Sequence, residues 1–361
     1  MKKINDVIYG FVLVDDLVQT LLDSPEMQRL RGIKQLSTTY LVYPGANHSR
    51  FEHSLGVYHL ARELGSYLDL PPEFKVAALL HDFGHGPFSH TSENIATDLG
   101  FPSHTQSLAA RLKEGNLAYI IERAGLDLKL VGDLINGRGT YGKFLSGPVD
   151  IDRLDYLARD MYYTTNFGRV DVRRIFGGVN ADGTFDIGCV DALEELFSIR
   201  FKMYKFCYHH HTTRLASLML ERAIAEAISL GFSIKDIMNL DDIGLISLFR
   251  RSDNKLWKKL EQRKLYKIVL DIPHTKENCS QIFKLLELNF GPEVILDTVE
   301  CSDWSELNVS IIGKRGGIKP LKAYLSEYDK EFFNRKGFYK LMVYSSPSRI
   351  VDVELLLRKY I

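Results

Sequence analysis

Apolar residues alternate with polar ones near the N-terminus (Ile8, Phe11, Leu13), then recur at helical spacing through Leu17, Leu21 and Leu22. The change of period marks an extended entry followed by a helix. Ser24-Pro25 ahead of Glu26-Met27-Gln28-Arg29-Leu30 reads as a helix start with proline in the first turn. Tyr43-Pro44-Gly45-Ala46-Asn47 reads as a turn. His53, Leu55, Val57, Leu60, Ala61 and Leu64 form one helical face, and Pro71-Pro72-Glu73 opens another helix, Phe74 to Asp82. That helix is apolar from Val76 to Leu80 and is therefore expected to be buried, and Gly84-His85-Gly86-Pro87 ends it.

Further helices are expected over 104–124, 127–136, 149–159, 191–230 and 234–262. The glycine-rich stretch 168–190, with Phe185-Asp186-Ile187, suggests a small hairpin. Beyond Leu265 the pattern gives strands at 266–270, 309–312 and 339–344, and helices at 280–289 and 351–359. The expectation is a mainly α protein with a small β-hairpin and a smaller α+β C-terminal region, divided into residues 1–264 and 265–361. A chain of 361 residues exceeds the usual single-core size, which favours such a division.

Lys+Arg and Asp+Glu both number 46, so the net charge is zero and no general nucleic-acid coat is indicated, though a local basic patch stays open. Cys189, Cys207, Cys279 and Cys301 are scattered without a CxxC pair and read as reduced thiols of a cytoplasmic protein. Lys2 and Lys3 precede no apolar run with a cleavage site, so no signal peptide is expected. No apolar stretch reaches the roughly 18 residues of a membrane span. Neither repeats nor low-complexity tracts occur.

The chemistry concentrates in Arg50-Phe51-Glu52-His53-Ser54-Leu55-Gly56-Val57 and in the run from Leu80-His81-Asp82 through His85 to Ser89-His90. One histidine on an apolar helix is most often a satisfied core residue. Here several occur together, and Asp82 closes an apolar helix where a bare carboxylate costs several kcal/mol. Asp150 and Asp152 open a later helix on which Asp152, Asp155 and Tyr156 share neighbouring faces. Imidazole and carboxylate donors together suit a divalent metal that keeps positions open for water and substrate, as in a metal-dependent hydrolase. Two imidazoles and two carboxylates accept Mn, Fe, Zn, Ni or Mg alike.

One histidine, then His-Asp, then a distant aspartate resembles the ligand set of the HD phosphohydrolase superfamily. The segments from Ser24 to Leu36, Tyr43 to Ala46, Asn47 to Val57, His81 to His90 and Asp150 to Asp160 resemble, in order, its dNTP triphosphohydrolases. The sterile-alpha-motif/HD-domain branch is the nearest, without the sterile-alpha-motif module. The resemblance spans about residues 1–230 and thins beyond 260. It implies an HD-domain helical core and dNTP hydrolysis at the α-phosphorus to deoxynucleoside and inorganic triphosphate. By motif, His53, His81, Asp82 and Asp152 would ligate the metal, and Arg50, Arg153 and Arg200 would contact phosphates. His85, His90 and His104 match active-site histidines. His90 would be the general acid, oriented by Glu93, where the family has aspartate. Gln35, Tyr156 and Asp160 would surround the sugar, and Leu36 and Tyr208 would wall its 2′ side.

The resemblance also implies a homo-oligomer, dimer or tetramer, with an activating guanine nucleotide at Lys2, Asn5, Asp23, Gln28, Arg31 and Arg174. A plainer reading makes Asp23 a helix cap and puts Gln28 and Arg31 on a solvated face. Where the family has basic residues for a second nucleotide, this chain has Asp186, Gly188, Phe206 and His211. Such an enzyme would work on a Mg-bound nucleotide. Two alternatives stay open: an HD phosphohydrolase acting on a nucleoside monophosphate or signalling nucleotide, and a non-catalytic HD scaffold that binds nucleic acid or a partner. His209-His210-His211 is expected within a helix, where adjacent side chains diverge by about 100° and cannot chelate one ion. His48 and His59 read as structural, and Gly313-Lys314-Arg315-Gly316-Gly317 as a hairpin turn.

Overall fold

A computed structural model describes residues 1–102, 108, 111–112, 115–273, 276–300, 307–326 and 339–358. The chain opens with an antiparallel hairpin, β1 (Lys2–Asp6) and β2 (Gly10–Val14), with Lys2 opposite Val14 and Asp6 opposite Gly10. Asp6 Oδ1 closes its turn by accepting the N–H groups of Ile8 and Tyr9 at 2.9 and 3.0 Å. Gly10 supplies the left-handed φ of +75° there. Helices α1 (Asp16–Leu22), α2 (Pro25–Arg29), α3 (Arg50–Leu64), α4 (Pro72–Leu80) and α5 (His90–Asp98) follow. Then come α6 (Asn116–Arg123), α7 (Leu128–Ile135), the single turn α8 (Gly139–Gly142), α9 (Ile151–Tyr163) and α10 (Val172–Gly177). After the short strand β3 (Phe185–Asp186), α11 (Val190–Met203) and α12 (His211–Ser229) complete the frame of the site.

The expected long helix over 191–230 is in fact two. A π-helical turn, Tyr204–Tyr208, ends α11, and His210 caps α12 through its Nδ1, 3.2 Å from the Thr212 N–H. The histidine triplet therefore sits at the break, with His210 and His211 stacked 4.4 Å apart. The hairpin expected over 168–190 reduces to a bridge between Val179 and Phe185, whereas an extended hairpin lies at the N-terminus.

Helices α13 (Ile234–Met238), α14 (Asp242–Arg251) and α15 (Lys255–Glu261) pack beside α12, where Leu215, Met219, Ile224, Phe249 and Trp257 share a core. A three-stranded antiparallel sheet joins this core through Ile295, Met342 and Tyr344. It places β8 (Tyr339–Ser345) between β4 (Lys267–Pro273) and β5 (Val294–Glu300). Strand β5 has no counterpart in the sequence reading. Helices α16 (Lys276–Phe290) and α17 (Ile350–Leu357) flank the sheet.

The larger core gathers Leu55, Leu79, Leu154 and Leu196 together with Leu307, Val309, Ile311 and Leu321. There β6 (Ser310–Ile312) pairs in parallel with β3 and antiparallel with β7 (Ile318–Pro320), across the turn read correctly at Gly313–Gly317. Packing thus crosses the expected division at 264/265. Among the described residues, no helix is long and apolar enough to cross a membrane.

Candidate metal centre and active site

Helix α3 begins with a reciprocal cap: Ser49 Oγ accepts the Glu52 N–H, while Glu52 accepts the Ser49 N–H at 2.6 Å. This fixes Arg50 and His53 on the first turn. His81 and Asp82 follow the apolar helix α4, and Asp152 lies on the first turn of α9, which Asp150 caps through the Arg153 N–H at 2.7 Å.

Four side chains from these three helices converge. His53 Nε2 stands 3.2 Å from His81 Nε2, 2.9 Å from Asp152 Oδ1 and 3.6 Å from Asp82 Oδ2. His81 Nε2 stands 3.5 Å from Asp82 Oδ1 and 3.6 Å from Asp152 Oδ1. Donors about 2.1 Å from one ion stand about 3.0 Å apart across an octahedral edge and about 3.4 Å across a tetrahedral one. The second nitrogen of each ring is already engaged: His53 Nδ1 meets Asp155 Oδ2 at 2.7 Å, and His81 Nδ1 meets the Ala78 carbonyl at 2.8 Å. Both rings therefore direct Nε2 inward, as imidazole ligands do. Burial lowers the basicity of His53, but Asp152 and Asp155 outweigh it and raise the pKa to about 10. Burial raises the Asp82 pKa, but Arg50, His81 and His85 hold it well below the usual carboxylate range. A cluster that draws a proton this strongly draws a cation by the same field, so the residues present fit a divalent metal.

Behind His53 lies a buried chain of charges. Arg159 donates from Nε and Nη2 to both oxygens of Asp155, each at 3.0 Å, and from Nη1 to Asp6 Oδ2 at 2.9 Å. Asp155 and Arg159 are fully buried. Gly56 faces them, and a Cβ there would fall 1.9 Å from Asp155 Oδ1 and 2.4 Å from Arg159 Nη2.

On the open side, buried Arg50 reaches Asp82 through Nη1 and Ser89 Oγ through Nε at 2.7 Å, leaving Nη2 without a hydrogen-bond partner among the described residues. Phe88 and Ser89 both hold left-handed φ, +57° and +56°. Asp242 secures that conformation by accepting the N–H groups of Phe88 and Lys34 at 2.6 and 3.0 Å. His85 Nε2 lies 3.3 Å from Asp82, and Glu93 lies 3.8 Å from His85 and 3.1 Å from His90 Nδ1. The His90 ring is exposed. His104 lies outside the described residues.

Arg153, Tyr156 and Arg200 form a second group with Tyr204: the Arg200 guanidinium lies 5.0 Å from the Tyr204 ring. Burial and the neighbouring Tyr204 raise the Tyr156 hydroxyl, against the lowering effect of Arg153 and Arg200. Asp160 accepts from the Tyr208 hydroxyl at 2.6 Å and meets His48 Nε2 at 2.7 Å. Gln35 donates its N–H to the His48 carbonyl at 3.0 Å, and its Oε1 is buried without a partner among the described residues, while Leu36 packs on the larger core.

Among the residues expected to bind an activator, Arg31 donates to Gln28 Oε1 at 2.9 Å and lies 3.6 Å over the Phe51 ring. Asp23 accepts from Gln19 and ends α1, whereas Ser24, not Asp23, caps α2. Lys2 and Asn5 are exposed on β1, and Arg174 is held by Asp191 and the Gly188 carbonyl.

The HD domain profile matches residues 50–140 and the HD associated region matches 170–287. The chain is also 34% identical to the uncharacterized protein MJ1154 of Methanocaldococcus jannaschii, over 98% of this chain and 81% of that one. The chain belongs to the HD-domain family. It is an HD phosphohydrolase-superfamily protein with an HD-associated region. Its relatives include the deoxynucleoside triphosphate triphosphohydrolase SAMHD1 homolog of Dictyostelium discoideum, 34% identical over 75% of this chain, and human SAMHD1, 31% identical over 63%. This HD protein spans 60% and 45% of their respective lengths. A hypothetical protein from Aquifex aeolicus has the same fold, with a TM-score of 0.86, 29% identity and 99% coverage of both chains.

Sequence reasoning passed over Asp6, Arg159, Ser89 and Tyr204. For Arg159 a signal existed: it follows Asp155 by four on a helix whose first turn carries a candidate ligand. Asp6 and Ser89 had no local signal, because their partners are distant in sequence.

Proposed function

We propose that this protein is a metal-dependent dNTP triphosphohydrolase that releases deoxynucleoside and inorganic triphosphate. The observation that carries this reading is the group of His53, His81 and Asp82, with Asp152 2.9 Å from His53, beside a buried arginine whose Nη2 has no hydrogen-bond partner among the described residues. The triphosphohydrolase relatives support the substrate class. A divalent ion held by His53, His81, Asp82 and Asp152 would supply Lewis acidity and an activated water.

The remaining work falls to the chain itself. Arg50, Arg153 and Arg200 bind the polyphosphate and spread the charge that builds on the equatorial oxygens. Water attacks the α-phosphorus, the bond to the 5′-oxygen breaks, and that oxygen takes a proton from His90. Glu93, at His90 Nδ1, leaves Nε2 to carry the proton, a contribution of about 10²–10⁴-fold. Gln35, Tyr156 and Asp160 receive the sugar. Tyr208 is immobilised by Asp160 and, with Leu36, closes the 2′ side against a ribose hydroxyl. The regulatory half of the reading is an activating guanine nucleotide at Lys2, Asn5, Asp23, Gln28, Arg31 and Arg174, bound between subunits of a homo-oligomer.

The test is incubation with each dNTP and NTP, with and without GTP and Mn²⁺, with products resolved chromatographically. Deoxynucleoside and triphosphate are expected. Orthophosphate as the product, or no turnover of any dNTP under all these conditions, refutes the proposal.

A further inference from the structure

The turn of the hairpin, the outer face of α3, the C-terminal half of α9 and the loop after it enclose an open cavity of about 790 Å³. Tyr9, His59, Glu63, Tyr162, Arg169 and Arg173 line it. His59 follows His53 by six residues, so it lies about 120° around α3 from the metal ligand. The cavity is thus behind the metal centre and separate from it.

Its charges are unevenly committed. The Glu63 carboxylate lies 3.5 Å from His59 Nε2, and Asp171 caps the Arg174 N–H at 3.2 Å. Arg169 and Arg173 are exposed and meet no carboxylate among the described residues. Aromatic faces complete the lining: Tyr9 stacks on His59 with ring centres 4.5 Å apart, and Tyr162 is exposed. Tyr9 also lies 6.0 Å from the Arg159 guanidinium, which holds Asp155, which in turn holds His53.

We propose that this cavity is a second ligand site, for a phosphorylated small molecule with a planar ring, whose occupancy is felt at the metal centre through Tyr9, Arg159 and Asp155. The volume falls within the roughly 300–1,000 Å³ of small-molecule sites. Two guanidiniums suit a diphosphate, each offering a fork of donors to phosphate oxygens. The aromatic faces suit a stacked ring. A ligand that presses on Tyr9 shifts the support of Arg159, and hence of His53. Such coupling is reciprocal: the ligand changes metal affinity by the factor by which metal changes ligand affinity. The transmission half rests on the metal-centre reading, whereas the binding half does not.

The test uses the full chain and calorimetry with ADP, GDP, CDP and UDP. At least one is expected to bind the parent and an Arg50→Ala variant alike, and at least tenfold more weakly the Arg169→Ala/Arg173→Ala double variant. These two arginines are exposed, so folding is not at stake. The bound nucleotide is expected to change Mn²⁺ affinity, read by electron paramagnetic resonance, and Tyr9→Leu to abolish that change while the melting curve stays cooperative. Binding is overturned if none of the four binds, if the double variant binds like the parent, or if Arg50→Ala abolishes binding. It is also overturned if light scattering shows the double variant losing a subunit contact, because the cavity would then be an interface. Transmission is overturned if Mn²⁺ affinity ignores the nucleotide. Turnover enters none of these readouts, so failure here is distinct from failure of the hydrolase proposal.

Discussion

Replacing Gly56 by alanine tests the buried charge chain by the sign of the effect as well as its size. In an ordinary helix interior, Gly→Ala stabilises by about 1 kcal/mol. At Gly56 the new methyl would fall 1.9 Å from Asp155 Oδ1 and 2.4 Å from Arg159 Nη2, so the pair must move. Overpacking of this kind costs about 1–3 kcal/mol. Losing one partner of a buried ion pair costs about 3–5 kcal/mol, and a displaced pair loses part of that. Set against the helix gain, the net expectation is a loss of about 2–5 kcal/mol, read from urea denaturation. The 2.7 Å contact between Asp155 and His53 Nδ1 goes with it, so Mn²⁺ affinity should fall about 10–100-fold. A Gly56→Ala protein that is as stable as the parent, with unchanged Mn²⁺ affinity, would refute the claim that Asp155 and Arg159 hold the metal ligand in place.

Three other outcomes are expected. Asp155→Asn should lower Mn²⁺ affinity about 10–100-fold, because the His53 ring loses its carboxylate partner; equilibrium dialysis with elemental analysis measures it. Burial, aided by the Arg214 charge, lowers the His209 pKa to about 4, below that of the unfolded chain. The unfolded state then binds the extra proton between about pH 4 and 6.5, so the His209 contribution is complete above that window and is lost as pH falls through it. Its slope is at most about 1.4 kcal/mol per pH unit, and His209→Asn should remove that component from urea midpoints measured at pH 4.5 and 7. Arg214 ties α12 to the C-terminal sheet through both oxygens of Asp297, at 2.9 and 2.6 Å. Arg214→Ala leaves that buried carboxylate unpaired and should cost about 3 kcal/mol in urea denaturation, with Arg214→Lys recovering only part.

The helical pattern was legible where one face alternates with another, as in α9, or where an apolar run follows a proline start, as in α4. It failed where backbone geometry answers to contacts rather than to period. The break after Tyr208 depends on a capping imidazole and a widened turn, and helical spacing of the apolar residues runs straight through it. The candidate metal-binding group stood out in the sequence because its residue types are costly to bury and fall in short motifs. Their supports could not: Asp6 and Arg159 lie far apart in the chain and meet only in space. Ser89 and Asp242 matter through a left-handed backbone at Phe88 and Ser89, which no residue type there announces.

The parallel pairing of Phe185 with Ile311 sets a condition on how the molecule is made. A ribosome has delivered every proposed metal ligand by Asp152, yet the apolar layer around Phe185 stays uncovered until Ile311 and Leu321 have emerged. A fragment ending at residue 264 would carry every proposed site residue and lack part of its own interior, so trimming the chain there should yield aggregates rather than a smaller folded protein.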